Sequence, residues 1–178
     1  MNLSNINNVY FIGIGGIGMS ALARYFIVNK NVAGYDKTPT DITAALQELN
    51  ISIHFDDDIN HIDECYFNQE DTLVVYTPAI PDDHKELNYF LSKGYNVLKR
   101  SQVLGIITEN TTCLAVAGTH GKTTTSSILG HLLYECDVEM TAFLGGISEN
   151  YNSNLIQKGN KVSVVEADEY DRSFLTLS

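Results

Sequence analysis

Two glycine-rich turns hold the residues best suited to chemistry in this 178-residue chain. The first, Gly13-Ile14-Gly15-Gly16-Ile17-Gly18, satisfies G-x-G-x-x-G between the apolar run Val9-Tyr10-Phe11-Ile12 and a helix-patterned stretch. Glycines at that spacing let backbone N–H groups approach a pyrophosphate seated on a helix N-terminus. Asp36, 18 residues beyond Gly18 and at the end of the next apolar run, stands where an acid usually meets a ribose hydroxyl. A tight strand–helix turn without ligand also satisfies the glycine pattern. Strand, loop, helix and distal acid together favour a ligand. NAD is the default occupant, and a nucleotide sugar carries the same pyrophosphate.

The second turn, Gly118-Thr119-His120-Gly121-Lys122-Thr123-Thr124, follows the apolar run Cys113–Ala117. The pattern G-x-x-x-x-G-K-[ST] requires glycine where Val116 stands, so this loop is two residues shorter. Its physical parts remain: a lysine, Lys122, for β- and γ-phosphates, and a hydroxyl, Thr123, for Mg²⁺. Glu166-Ala167-Asp168-Glu169 closes the apolar run Val162–Val165. Period-2 alternation puts Glu166 and Asp168 on one face at a strand's carboxyl end, where open α/β sheets bind ligands. A carboxylate there suits Mg²⁺; taken alone, these acids equally suit a helix N-terminus. Asp56-Asp57-Asp58 reads as a solvated loop.

These turns need elements to position them. Apolar periodicity predicts strands at 9–13, 32–35, 51–55, 72–76, 113–117, 140–144 and 162–166. It predicts helices at 16–29, 40–50 (N-capped by Thr40 or Asp41), 82–93 (ended by Gly94) and 123–134. Gly145-Gly146 and 150–154 read as loop. Alternating β and α implies α/β architecture: a Rossmann-like parallel-sheet domain over 1–105, then the start of a P-loop ATPase-like α/β domain over 106–178. Twenty-two acidic against 11 basic residues give a net charge of −11, which argues against binding nucleic acid. Cys65, Cys113 and Cys136 form no CxxC or Cys/His cluster, so neither a disulfide framework nor zinc is indicated. With no signal-like N-terminus and no apolar run of the ~18–20 residues a membrane span needs, a cytoplasmic protein without a membrane partner is expected. Oligomeric state is left open.

Three segments, Phe11–Ala23, Ala117–Thr125 and Glu166–Leu175, together resemble the Mur ligase family, the shortened loop Gly-Thr-His-Gly-Lys-Thr-Thr being the most specific. Thr77-Pro78-Ala79-Ile80-Pro81 is similar to the family's loop beside its nucleotide-sugar pocket. The resemblance implies a three-domain ATP-dependent ligase of about 450 residues, whose C-terminal domain is absent here. It implies that Gly13, Ile14, Gly15, Gly16, Ile17, Gly18, Asp36, Thr77, Pro78 and Ala79 hold UDP-N-acetylmuramate. It places ATP on Gly118, Thr119, His120, Gly121, Lys122, Thr123 and Thr124, Mg²⁺ on Thr123 and Glu166, and the catalytic role on Lys122. The implied reaction forms an acyl phosphate from the lactyl carboxylate and the γ-phosphate of ATP, and the amine of L-alanine then displaces phosphate. A recycling ligase that attaches a tripeptide to the same nucleotide sugar shares these motifs. An NAD(P)-dependent oxidoreductase and a noncatalytic nucleotide-sugar-binding module are further alternatives. On the ligase reading this chain alone is expected to be inactive.

Overall fold

Every residue of β1 (Asn8–Ile12) is buried, as expected for the central strand of a parallel sheet covered on both faces. In the computed structural model, which describes residues 3–167, β1 pairs in parallel with β2 (Asn31–Tyr35) and with β4 (Thr72–Tyr76). Outside these lie β3 (Ser52–His54) and β5 (Asn96–Lys99), giving the all-parallel order β3-β2-β1-β4-β5. The chain leaves β1 toward β2 on one side and returns to β4 on the other. The turns after β1 and β4 therefore flank a crevice at the sheet's carboxyl edge, the switch point of a doubly wound sheet.

The first helix, α1 (Ile17–Ile27), starts directly after the glycine turn. The second, α2 (Asp41–Gln47), is N-capped by Thr40, whose side chain accepts from Thr43 N–H in a reciprocal capping box. Helix α3 (Lys85–Ser92) begins three residues later than the periodicity predicts. Its first amides, Lys85 and Glu86 N–H, donate to the two oxygens of Asp57, and the His84 ring caps Leu87 N–H. Asp57 thus has a structural partner that a solvated loop would not supply.

The chain divides into two compact units, Met1–Arg100 and Ser101–Ser178. The sequence pattern assigned no element between Gly94 and Asn110, yet β5 and α4 (Arg100–Thr108) occupy it; the polar run Lys99-Arg100-Ser101 interrupts the apolar periodicity there. In the second unit β6 (Thr112–Val116), β9 (Val162–Glu166) and β7 (Met140–Ser148) pair in parallel in that order, and β8 (Ser153–Gln157) adds antiparallel to β7. Helix α5 (Lys122–Glu135) crosses from β6 to β7, with Gly130 so close to the sheet that an added Cβ would stand 3.0 Å from that of Ala142. Two expectations are corrected here. Strand β7 runs through Gly145 and Gly146 instead of ending before them, and β8 takes up part of the expected loop at 150–154. Among the described residues no helix is long and apolar enough to cross a membrane.

The core of the first unit encloses a polar network. Tyr10 Oη lies 2.8 Å from Glu86 Oε2 and 2.7 Å from His54 Nε2, while His54 Nδ1 is 2.9 Å from the Asp56 carbonyl. That carbonyl accepts only, so Nδ1 carries a proton. If Glu86 is ionised, Tyr10 donates to it and His54 must be doubly protonated. If Glu86 is neutral, its proton goes to Tyr10, and Tyr10 donates to a neutral His54. Glu86 is 0% exposed, and burial raises its pKa from 4.5 to about 7, while burial lowers that of His54. Both directions favour the neutral chain.

Between pH 4.5 and about 7 the folded state keeps a proton on Glu86 that the unfolded chain releases, so the contribution of Glu86 to stability falls as pH rises through that window, opposite in sign to that of His54. The full loss is roughly 3 kcal/mol. Glu86→Gln, which mimics the neutral form, should remove this fall. Hydrogen exchange of the β1 amides in both proteins, compared at pH 5 and pH 8, measures it; equal pH trends would contradict the neutral chain.

Candidate functional sites

In the first unit the glycine turn is held from below by its own backbone. Gly13 and Ile14 N–H donate to Tyr35 O, so neither amide points into the crevice, and Ile14 is wholly buried. Gly15 N–H donates to Asp36 Oδ2 at 2.7 Å, and Thr38 N–H donates to Oδ1. An added Cβ on Gly15 would stand 2.8 Å from Asp36 Oδ2 and 2.9 Å from Thr43 Cγ2, so only glycine lets this carboxylate reach the turn. Gly16 N–H turns back to Gly13 O at 3.3 Å, and the first i→i−4 bond of α1 is Ser20 N–H to Gly16 O, so the first turn of α1 starts at the carboxyl edge.

A cleft of about 550 Å³ opens there. Gly13, Gly15, Gly16 and Asp36 line one side, and Thr77 and Ala79 from the turn after β4 line the other. Pro78 is exposed and not part of that lining; Ile17 opens α1, and Gly18 packs under Arg100, whose Nη1 a Cβ there would meet at 2.9 Å. Asp57 and His84 are among the lining residues that had no signal in the sequence. Asp57 was read as solvent-facing, and His84 is a helix cap without any motif. His84 is 5% exposed, its Nδ1 lies 3.2 Å from Asp57 Oδ1, and burial holds its pKa down.

The second unit builds its site at the carboxyl ends of β6 and β9. Val116 and Glu166 are register partners, and Ala167 N–H donates to Val116 O, so the strand bearing Glu166 runs alongside the strand that enters the loop. Gly121 caps α5 at φ +75°, a left-handed conformation that turns the chain into the helix without side-chain help. Lys122 folds back over the loop, Nζ donating to Gly118 O at 2.7 Å. Thr119, His120, Gly121 and Thr124 are exposed around it.

Thr123 Oγ1 donates to Glu166 Oε2 at 3.1 Å, which brings together the two residues expected at a metal. Asp168, its expected companion on the same face, lies outside the described residues. Among the described residues no cluster of three His, Cys, Asp or Glu could enclose a metal alone. One hydroxyl and one carboxylate at a phosphate loop do fit Mg²⁺, which binds through few protein oxygens plus phosphate and water. Ser126 Oγ and Gly145 N–H complete the surroundings of Glu166, each 2.8 Å from Oε1; the sequence reading had given neither a role.

A profile described as "Mur ligase family, catalytic domain" matches residues 8–112. A UDP-N-acetylmuramate–L-alanine ligase from Flavobacterium psychrophilum is 67% identical over 99% of this chain and 40% of its own length. A crystal structure of the ligase of that name from Thermotoga maritima superposes with a TM-score of 0.80 at 34% identity, covering 91% of this chain and 37% of that one. The UDP-N-acetylmuramate:L-alanyl-γ-D-glutamyl-meso-diaminopimelate ligase of Neisseria meningitides also gives 0.80, at 26% identity, with 94% and 54% covered. The chain thus spans about 40% of the length of the curated relatives it matches.

Gly15→Ala should destabilise the first unit by roughly 1–3 kcal/mol through overpacking against Asp36 and Thr43. At Gly16 the nearest atom to an added Cβ is 3.5 Å away, so Gly16→Ala should change stability far less. Urea unfolding followed by tyrosine absorbance compares them, and equal midpoints would refute the close-approach requirement.

Proposed function

This chain belongs to the Mur ligase family, and from that premise we propose that it supplies the nucleotide-sugar and ATP sites of a cytoplasmic ligase that joins L-alanine to the lactyl carboxylate of UDP-N-acetylmuramate in peptidoglycan synthesis. The observation that carries this reading is the meeting of Thr123 with Glu166 at a loop from which Lys122 also projects. A nucleotide-binding turn alone would leave those three residues without purpose, and for that reason the oxidoreductase and the noncatalytic module are not favoured. The strong likeness to an L-alanine ligase favours L-alanine over a tripeptide as the added group.

On this reading each loop has a distinct task. The Gly13–Gly18 turn and the first turn of α1 receive the pyrophosphate of the UDP-sugar, with Thr77 and Ala79 closing the opposite wall. Asp36 holds the turn rigid through Gly15 N–H and faces the ribose from the same crevice. Lys122 exchanges its Gly118 carbonyl for phosphate oxygens, its ammonium meeting charge that grows as the γ-phosphoryl passes to the lactyl carboxylate. Thr123 and Glu166 would hold Mg²⁺, which supplies further charge neutralisation on the phosphates. The exposed loop residues Thr119, His120 and Thr124 shape the cradle around the phosphates. The resulting acyl phosphate is the electrophile that the amine of L-alanine attacks, releasing phosphate.

Lys122→Ala should weaken Mg-ATP binding at least tenfold, a loss of about 1.4 kcal/mol or more, while Lys85→Ala, in the first unit, leaves it unchanged. Calorimetry on both variants measures the difference, and equal affinities would refute the role of Lys122. In thermal shift, UDP-N-acetylmuramate should stabilise the chain and NADH should not. Stabilisation by NADH alone would overturn the ligase reading.

A further inference from the structure

Glu166 receives three donors from two other elements of the second unit, and they divide its oxygens unequally. Oε1 accepts from Ser126 Oγ on α5 and from Gly145 N–H on β7, both at 2.8 Å. Among the described residues Oε2 accepts only the longer bond from Thr123, at 3.1 Å, and the Thr123 hydroxyl is itself a candidate ligand. Ser126 is 0% exposed, so its hydroxyl has no water to turn to; the Thr123 carbonyl at 3.1 Å is its other acceptor. Gly145 permits the contact sterically, since an added Cβ would stand 2.5 Å from Oε2 and 3.1 Å from Oε1.

We infer that Ser126 is a positioning residue for the metal site: with the Gly145 amide it pins Oε1, so that Oε2 is the oxygen turned toward the cation beside Thr123. This rests on the reading of Thr123 and Glu166 as the metal-holding pair. A carboxylate rotating freely about its terminal torsion would present either oxygen and lose orientation on binding. Two short bonds to one oxygen remove that freedom before any cation arrives. Partners that orient a metal-binding carboxylate commonly change affinity by about 10–100-fold when removed.

The experiment is a Mn²⁺ titration followed by electron paramagnetic resonance, with the chain and a nonhydrolysable ATP analogue. Ser126→Ala should weaken Mn²⁺ binding roughly tenfold or more, and Ser126→Thr, which keeps the hydroxyl, should restore it. Gly145→Ala, with Ser126 intact, should give the same loss by pushing the carboxylate off its seat; it stands as an independent arm if Ser126→Ala folds poorly. UDP-N-acetylmuramate binding should be unchanged in every variant. Wild-type Mn²⁺ affinity in folded Ser126→Ala or in Gly145→Ala, together with loss in Glu166→Gln, would overturn the positioning role alone. Wild-type affinity in Glu166→Gln would instead overturn the metal pair on which it rests.

Discussion

A carboxylate received by a glycine amide recurs in both units, and each candidate site depends on it. Gly15 N–H holds Asp36 at 2.7 Å, and Gly145 N–H holds Glu166 at 2.8 Å. In each case a Cβ on the glycine would collide with a carboxylate oxygen, at 2.8 Å and 2.5 Å respectively. The contact costs backbone entropy, since glycine loses more freedom than other residues on folding. In return it anchors an acid against a turn by a charge-assisted bond to the backbone itself, whose position the sheet has already fixed. An acid anchored in this way can stand beside phosphate charge without drifting toward it or away.

Parallel topology explains why both anchors fall where ligands would arrive. Each strand must return by a crossover, so the strand-to-helix turns collect on one edge, and there the helix N-termini present amide dipoles. Aspartate and glutamate at that edge are stabilised by the same dipoles that favour phosphate. Glu86 shows the opposite environment. It is 0% exposed and bonded to Tyr10, and burial drives its carboxyl toward neutrality with a pKa of about 7. The first unit therefore holds one acid at its edge with backbone donors and another in its core in a neutral hydrogen-bonded chain.

Much of this was legible from local pattern. Strands β1, β4 and β9 lie within one residue of their apolar runs, because buried parallel strands read as continuous hydrophobic stretches. Thr40 caps α2 as its residue type predicts, and the Gly-Lys-Thr spacing by itself locates the second loop. The misses have particular causes. Gly145 and Gly146 look like loop residues because glycine normally weakens strands, yet here glycine is what a neighbouring carboxylate requires of β7. Strand β5 and helix α4 carry polar residues at their junction and so lose the periodic signal. Asp57 resembled a solvated charge because its partners, the amides of α3, come from 28 and 29 residues further along the chain.

Residue types and spacing by themselves determined that this chain forms α/β units with two phosphate-type turns, since hydrophobic periodicity and glycine spacing are local properties. They also singled out Lys122, Thr123 and Glu166 as the candidates on which the proposed function rests. Only the tertiary structure decided how those residues are held. Strand β9 inserts between β6 and β7. That order brings Glu166 against Ser126, 40 residues away, and Gly145, 21 residues away. Strand order is set by the packing of whole elements, and no short-range pattern records which amide or hydroxyl will face a given carboxylate once the sheet has closed around it.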